Sequence, residues 1–143
     1  MLIFFDIFIF YKCEFFYYVV EMRRGTHVLL EMFGCDPILL EDIRKIKKIY
    51  KEAIKESGLV EVENSFKLHK FNPIGLTFIS LLKTSHVSFH TWPEFNYACL
   101  DIFACDEAKK VYKAEKVFLK HLKPKRVKRL VLKRGFITLE NSK

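Results

Sequence analysis

Between residues 26 and 33 the chain reads THVLLEMF, a short apolar run bounded by Gly25 and Gly34, as a buried strand should be. Asp36 and Pro37 follow, the pairing of cap residue and first-turn proline that opens a helix. Leu39, Ile43, Ile46, Tyr50, Ala53 and Ile54 then recur at helical spacing until Ser57-Gly58. One amphipathic helix is expected there, apolar toward a sheet and Lys-rich toward water. Strand-like runs come next at 59–68, 75–82, 86–91 and 97–104, broken at Asn72-Pro73, Thr84-Ser85 and Pro93-Glu94. A second helix is expected over about 107–122, with Val111, Ala114, Phe118 and Leu122 on one face. Pro124 closes it, and RVKRLVL at 126–132 reads as a last strand.

The order β-α-β-β-β-β-α-β leaves few parallel crossovers. The expected class is α+β, a two-layer αβ sandwich with an antiparallel sheet and two helices on one face. Such a sheet keeps a bare second face, and an apolar bare face needs a partner. A homodimer with its sheets packed face to face is therefore expected.

Composition changes this picture mainly at the N-terminus. The 143 residues are 50% hydrophobic and 29% charged, which fits one folded domain and excludes a disordered or collagen-like chain. Residues 1–21 hold nine aromatics but a single Lys against Asp6, Glu14 and Glu21, and Met22-Arg23-Arg24 follow at once. We read 1–21 as an N-terminal extension foreign to the fold, with translation able to begin at Met22 and a single domain over 22–143. An extra strand or helix and a membrane-surface anchor are the other readings. Asp6, Lys12 and Glu14 interrupt the apolar runs too early for a membrane span. Cys13, Cys35, Cys99 and Cys105 form no C-x-x-C pair and no zinc spacing, so no metal is expected and the chain reads as a reduced, cytoplasmic protein.

The formal charge of +8 first suggests a polyanion partner. The cation-rich stretch 123–134 could contact phosphate, but no aromatics are interleaved with its cations and its alternation suits an edge strand guarded by charge. Neither nucleic acid nor membrane is the expected partner.

Candidate chemistry concentrates in residues 71–106, where Ser85, His86, His90, Trp92, Glu94 and Cys105 fall on successive strands and turns. Hydroxyl, imidazole, carboxylate and thiol could converge at strand ends, with Cys105 activated by His90 as one arrangement. Ordinary core and turn residues are the other reading. His27, His69 and His121 are read as structural, and Cys99 as core.

The run T-S-H-V-S-F-H-T-W-P-E followed by Y-A-C-L-D-I-F-A-C resembles the signature E-S-H-x-[ST]-x-H-T-W-P-E…Y-A-x-x-D-x-[FY]-x-C of the short prokaryotic S-adenosylmethionine decarboxylase proenzymes. The resemblance extends from about Gly25 to Gly135 and includes F-x-P-x-G at Phe71, Pro73 and Gly75. It implies a carboxy-lyase that makes its own cofactor. Ser85 would attack the carbonyl of Thr84, and elimination would split the chain into 1–84 and 85–143, leaving residue 85 as a pyruvoyl group that forms a Schiff base with substrate. The resemblance assigns His90 as proton acceptor in processing, Cys105 as proton donor in catalysis and Thr77 as support for processing. It assigns Phe71, Trp92 and Glu94 to substrate binding, S-adenosylmethionine being the substrate and decarboxylated S-adenosylmethionine, a polyamine precursor, the product. His86 is either a neighbour of the cleavage site or a strand histidine.

Three positions depart from the pattern. Thr84 stands for the usual Glu before the cleaved serine, Phe78 for a small Gly at a position expected to line the site, and Asn96 for Gly after the W-P-E turn. Paralogous arginine or ornithine decarboxylases and an unprocessed pseudoenzyme acting as a dimer partner remain as alternatives. The substrate's sulfonium and ammonium would gain nothing from a positive chain, so recognition would have to be local.

Overall fold

The computed structural model describes residues 25–135; the 1–21 segment lies outside them. Six strands form one sheet in the order β2-β3-β4-β5-β1-β6. They are β1 (Gly25–Phe33), β2 (Lys67–Lys70), β3 (Leu76–Leu82), β4 (Ser85–Trp92), β5 (Tyr97–Ala104) and β6 (Arg126–Arg134). Every neighbouring pair is antiparallel. The two long helices α2 (Ile43–Ser57) and α3 (Ala108–Leu122) pack against each other, and α3 lies on β1 and β5. This is the two-layer sandwich expected of the pattern.

Alternation on the central strands decides which face meets the helices. Val28, Leu30 and Met32 of β1, Val87 and Phe89 of β4, and Leu100 and Ile102 of β5 are buried almost completely. They meet Tyr50 and Ala53 of α2 and Val111, Ala114, Phe118 and Leu122 of α3 in one core.

Three expectations about elements need correction. The first helix is two, α1 (Pro37–Glu41) and α2, because Asp42 has an extended backbone (φ −81°, ψ 93°) and its carboxylate accepts from the Lys45 amide. An Asp inside an amphipathic run can thus be a new cap instead of a solvated position. The strand expected at 59–68 reduces to β2 at its far end, with a lone bridge between Glu61 and Leu82. In between, Asn64 adopts a positive φ of 58°, and the Ser65 hydroxyl donates to the carbonyl of Leu81. The last strand runs on to Arg134.

Two residue assignments also change. Phe78 points into the helix layer, its ring 5.2 Å from Tyr50, 5.0 Å from Phe66 and 5.5 Å from Phe89. It is a core residue and adds no bulk to the open face. Cys99 does the reverse. Expected in the core, it lies on the open face because Ala98, Leu100, Ile102 and Ala104 take the helix-facing positions of β5.

The open face carries His27, Leu29, Glu31 and Phe33 from β1, with Thr77, Ile79 and Leu81 from β3. His86, Ser88, His90 and Trp92 of β4 stand beside them, as do Cys99, Asp101 and Phe103 of β5. Ile79, Leu81, Leu130 and Leu132 are each more than 40% exposed there.

Candidate active site

The sequence-predicted residues fall into two groups at opposite ends of β4. The first gathers around the two-residue turn, Lys83-Thr84, that joins β3 to β4, where Leu82 pairs with Ser85. The Thr84 carbonyl accepts a hydrogen bond from the Cys105 amide at 3.0 Å. A donor already aimed at that oxygen is what stabilises negative charge developing on it during nucleophilic attack. The Ser85 hydroxyl lies 3.4 Å from Nδ1 of His86. Cys105 follows β5 directly, and a Cβ added at Gly25 would sit 3.3 Å from its Sγ and 2.4 Å from the Phe103 ring. Glycine at 25 therefore lets β1 and Cys105 approach closely.

Around this turn stand His27, whose ring is 5.3 Å from Phe103 and 6.2 Å from His86, and Arg134, 4.5 Å above Phe103. Nε2 of His27 is buried without a hydrogen-bond partner among the described residues. Burial holds its pKa below the ordinary imidazole value, the charge of Asp101 opposing and those of Arg134 and His86 assisting.

The second group occupies the far end of β4. Thr77 pairs with His90 across β3 and β4, and its Oγ1 lies 2.6 Å from Nδ1 of His90. The His90 ring is 6.2 Å from Trp92, which lies 5.2 Å from Tyr97. Glu94 is exposed on a short 3-10 turn, Pro93–Phe95, closed by Asn96 at φ 50°. Asn here does what the more usual Gly would do. Thr91 anchors the strand by accepting from the Leu76 amide and donating to the Leu40 carbonyl. Phe71, 44% exposed, stands beside this turn across Gly75. Gly75 has φ +98°, and a Cβ on it would come within 2.9 Å of the Thr91 carbonyl, so this loop tolerates no other residue there.

The two groups do not meet within one chain. Ser85 and His90 are five residues apart on an extended strand, about 17 Å at the usual rise. Cys105 belongs with Ser85, and the cysteine paired with His90 is Cys99. An arrangement in which His90 activates Cys105 within the chain is thereby excluded. Burial, with the charges of Asp101 and Glu31 beside it, pushes the Cys99 thiol up to about 11, and burial takes Cys35 equally high. Both are poor nucleophiles at neutral pH.

The Cys105 amide and Gly25 were missed in the sequence because backbone groups and absent side chains leave no chemical signature. The signal for Gly25 was its position opening an apolar strand. An open cleft of about 780 Å³ lies beside the Pro93–Phe95 turn, against Phe95 and Asn96, lined also by Gly34, Asp36, His121 and Lys123 among others. None of the predicted residues contributes to it.

Residues 26–135 match the family described as S-adenosylmethionine decarboxylase. The chain is 40% identical over 114 residues to an S-adenosylmethionine decarboxylase proenzyme of Archaeoglobus fulgidus, covering 80% of this chain and 100% of that protein. It is 37% identical over 121 residues to the proenzyme of that name from Methanococcus maripaludis, covering 85% and 98%. A crystal structure of the adenosylmethionine decarboxylase from Aquifex aeolicus superposes with a TM-score of 0.75 at 32% identity, covering 83% of this chain and 97% of that one.

Proposed function

The chain belongs to the S-adenosylmethionine decarboxylase family, and on that basis we propose that it cuts itself between Thr84 and Ser85 and then releases carbon dioxide from S-adenosylmethionine. It is a carboxy-lyase made as a proenzyme, and its product is the aminopropyl donor for spermidine and other polyamines. The carrying observation is the family match across 26–135, which includes a serine hydroxyl at the turn whose preceding carbonyl is already held by the Cys105 amide.

Processing begins when the Ser85 hydroxyl attacks the carbonyl carbon of Thr84, and the peptide becomes an ester. His90 then takes the α-proton of residue 85, the Thr84 carboxylate leaves, and loss of ammonia to water makes residue 85 a pyruvoyl group heading the 85–143 chain. The placement of Ser85 at a strand start, half-buried and beside the Cys105 amide, fits such a group. Its adjacent carbonyls supply a sink for the electron pair that carbon dioxide leaves behind. Cys105 returns a proton to the product carbon. Phe71 and Trp92 hold the adenine by stacking, Glu94 accepts from the ribose hydroxyls, and Thr77 holds His90 through its 2.6 Å contact.

A proton acceptor must come within hydrogen-bond reach of its proton. The separation of Ser85 from His90 therefore supports a homodimer in which the open, partly apolar faces meet and each Ser85 is served by the His90 of a second copy. The exposure of Leu81, Leu130 and Leu132 supports the same pairing. Among the described residues no helix is long and apolar enough to cross a membrane. Free thiols at Cys35, Cys99 and Cys105 support a cytoplasmic site of action. The family match over 26–135 supports a working domain within 22–143.

Intact-mass measurement of purified protein tests the reading. Two chains split after Thr84 are expected, the smaller lacking a free α-amine at its N-terminus, with release of labelled carbon dioxide from S-adenosylmethionine. A single uncut chain after long incubation overturns it. Cleavage with turnover of arginine or ornithine instead moves the substrate.

A further inference from the structure

We propose that His86 is the base that takes the Ser85 hydroxyl proton in the acyl shift, leaving His90 for the elimination that follows. The assignment deepens the self-cleaving reading above and rests on it.

Ser85 Oγ and His86 Nδ1 are 3.4 Å apart, a long hydrogen bond of the kind that tightens as a nucleophile advances. No other imidazole among the described residues hydrogen-bonds to that hydroxyl. Nδ1 of His90 is already engaged by Thr77 at 2.6 Å, and within the chain it stands at the other end of β4. The remaining needs of the first step are met at the same turn, since the Cys105 amide holds the Thr84 carbonyl oxygen at 3.0 Å. Nucleophile, base and oxyanion donor thus come from one turn and the residue facing it.

The imidazole is held from three sides. Its ring stands edge-on to His27 of β1 and to Phe103 of β5, and it pairs with Leu81 of β3. The charged groups nearby are Asp101 on β5 and Arg134 on β6, both close enough to act on His27. His27 and Phe103 fix the plane of the His86 ring and so the direction of Nδ1; they are positioning residues.

Ser85 Oγ bonds to the carbonyl carbon of Thr84 as its proton passes to His86 Nδ1, and the carbonyl pair moves onto the oxygen held by Cys105. Collapse of that adduct restores the carbonyl and breaks the bond to the Ser85 nitrogen. The nitrogen takes the proton back from His86. No oxidant or co-reactant is needed, and the product is an ester bearing a free amine.

Hydroxylamine separates the two histidines, because it cleaves esters and leaves peptide bonds intact under mild conditions. His90→Ala is expected to accumulate the ester and to split after Thr84 only when hydroxylamine is added. His86→Gln is expected to stay intact with or without it, its ester formation slowed at least about 100-fold. Imidazole added to His86→Ala should restore ester formation, a rescue that a merely structural role would not allow. A His86→Gln chain that cleaves at the wild-type rate, or that accumulates a hydroxylamine-labile ester, overturns the assignment. So does a folded His86→Ala chain that imidazole never rescues. Wild-type protein that never cuts itself would bring down the decarboxylase reading; wild-type and His86→Gln chains that cut equally well bring down this assignment alone.

Discussion

On the helix side of the sheet, Val28, Leu30, Phe78, Phe89 and Leu100 are essentially inaccessible and their neighbours are other apolar side chains. One residue along the same strands, on the open side, stand His27, His86, His90, Cys99 and Asp101, each partly exposed. The two-residue period of a strand puts adjacent letters into opposite environments. A polar group shut into the core would have to find hydrogen bonds or cost roughly 1–3 kcal/mol. One face can therefore be optimised for packing while its reverse keeps hydroxyls, imidazoles and thiols within reach of each other and of a ligand. Stability and chemistry are thus interleaved along this chain and are separable by single substitutions.

The strongest test of that separation is Ser85→Ala. Self-cleavage should be abolished, giving one full-length chain by mass, while the thermal midpoint stays near that of uncut wild-type precursor. A large loss of stability would show that the reacting turn also holds the fold together. Phe78→Ala is the opposite case. Removing a ring packed against Tyr50, Phe66 and Phe89 should cost about 3–5 kcal/mol in urea unfolding, and the folded fraction should still cleave at its normal rate. Slower cleavage per folded molecule would tie Phe78 to the site after all.

Gly25→Ala should cross the boundary. The new methyl would strike the Phe103 ring and crowd the Cys105 thiol, so both properties suffer. We expect about 1–3 kcal/mol of destabilisation and cleavage slower by roughly 10- to 100-fold. Loss of only one would sharpen the division between the faces.

The smallest effect concerns His27. Because the fold holds this imidazole below its ordinary 6.5, the unfolded chain takes a proton in mild acid that the folded chain resists. Stability contributed by neutral His27 is thus complete above about pH 6.5 and declines as pH falls toward the folded value. Thermal midpoints measured from pH 7.5 to 5 should fall less steeply for His27→Gln than for wild type. Parallel slopes would remove His27 from the acid response.

Most of the sheet could be read from alternation, since runs such as YACLDIFA and SHVSFHTW declare a strand whatever surrounds them. Alternation does not say which parity faces the helices, and that is why Cys99 and Phe78 were each expected on the wrong side. The apolar letters between them decide it, Leu100 and Ile102 in one case and Leu76 and Leu82 in the other, and they do so only once the helices are in place. The break at Asp42 stayed hidden because a capping carboxylate and a solvated one are the same letter in an amphipathic run. In the site, the motif residues were visible as a set, but their division into two groups was not. Five residues of strand become a distance only when the backbone is known to be extended. The Cys105 amide left no mark at all, because its contribution is made by the main chain.

A cut after Thr84 would leave a first chain ending just past β3, yet the β1 of that chain lies between β5 and β6, both of which would belong to the second chain. Cleavage at the turn would therefore yield two polypeptides woven through a single sheet, each completing the other's hydrogen-bond ladders. They have no route apart that does not dismantle the sheet. Before cleavage, unfolding and refolding are a reversible reaction of one molecule. Afterwards recovery requires two separate chains to find each other, so it should slow with dilution while the precursor's does not. Self-cleavage would then convert a fold held at equilibrium into one protected by the rate at which it can come undone.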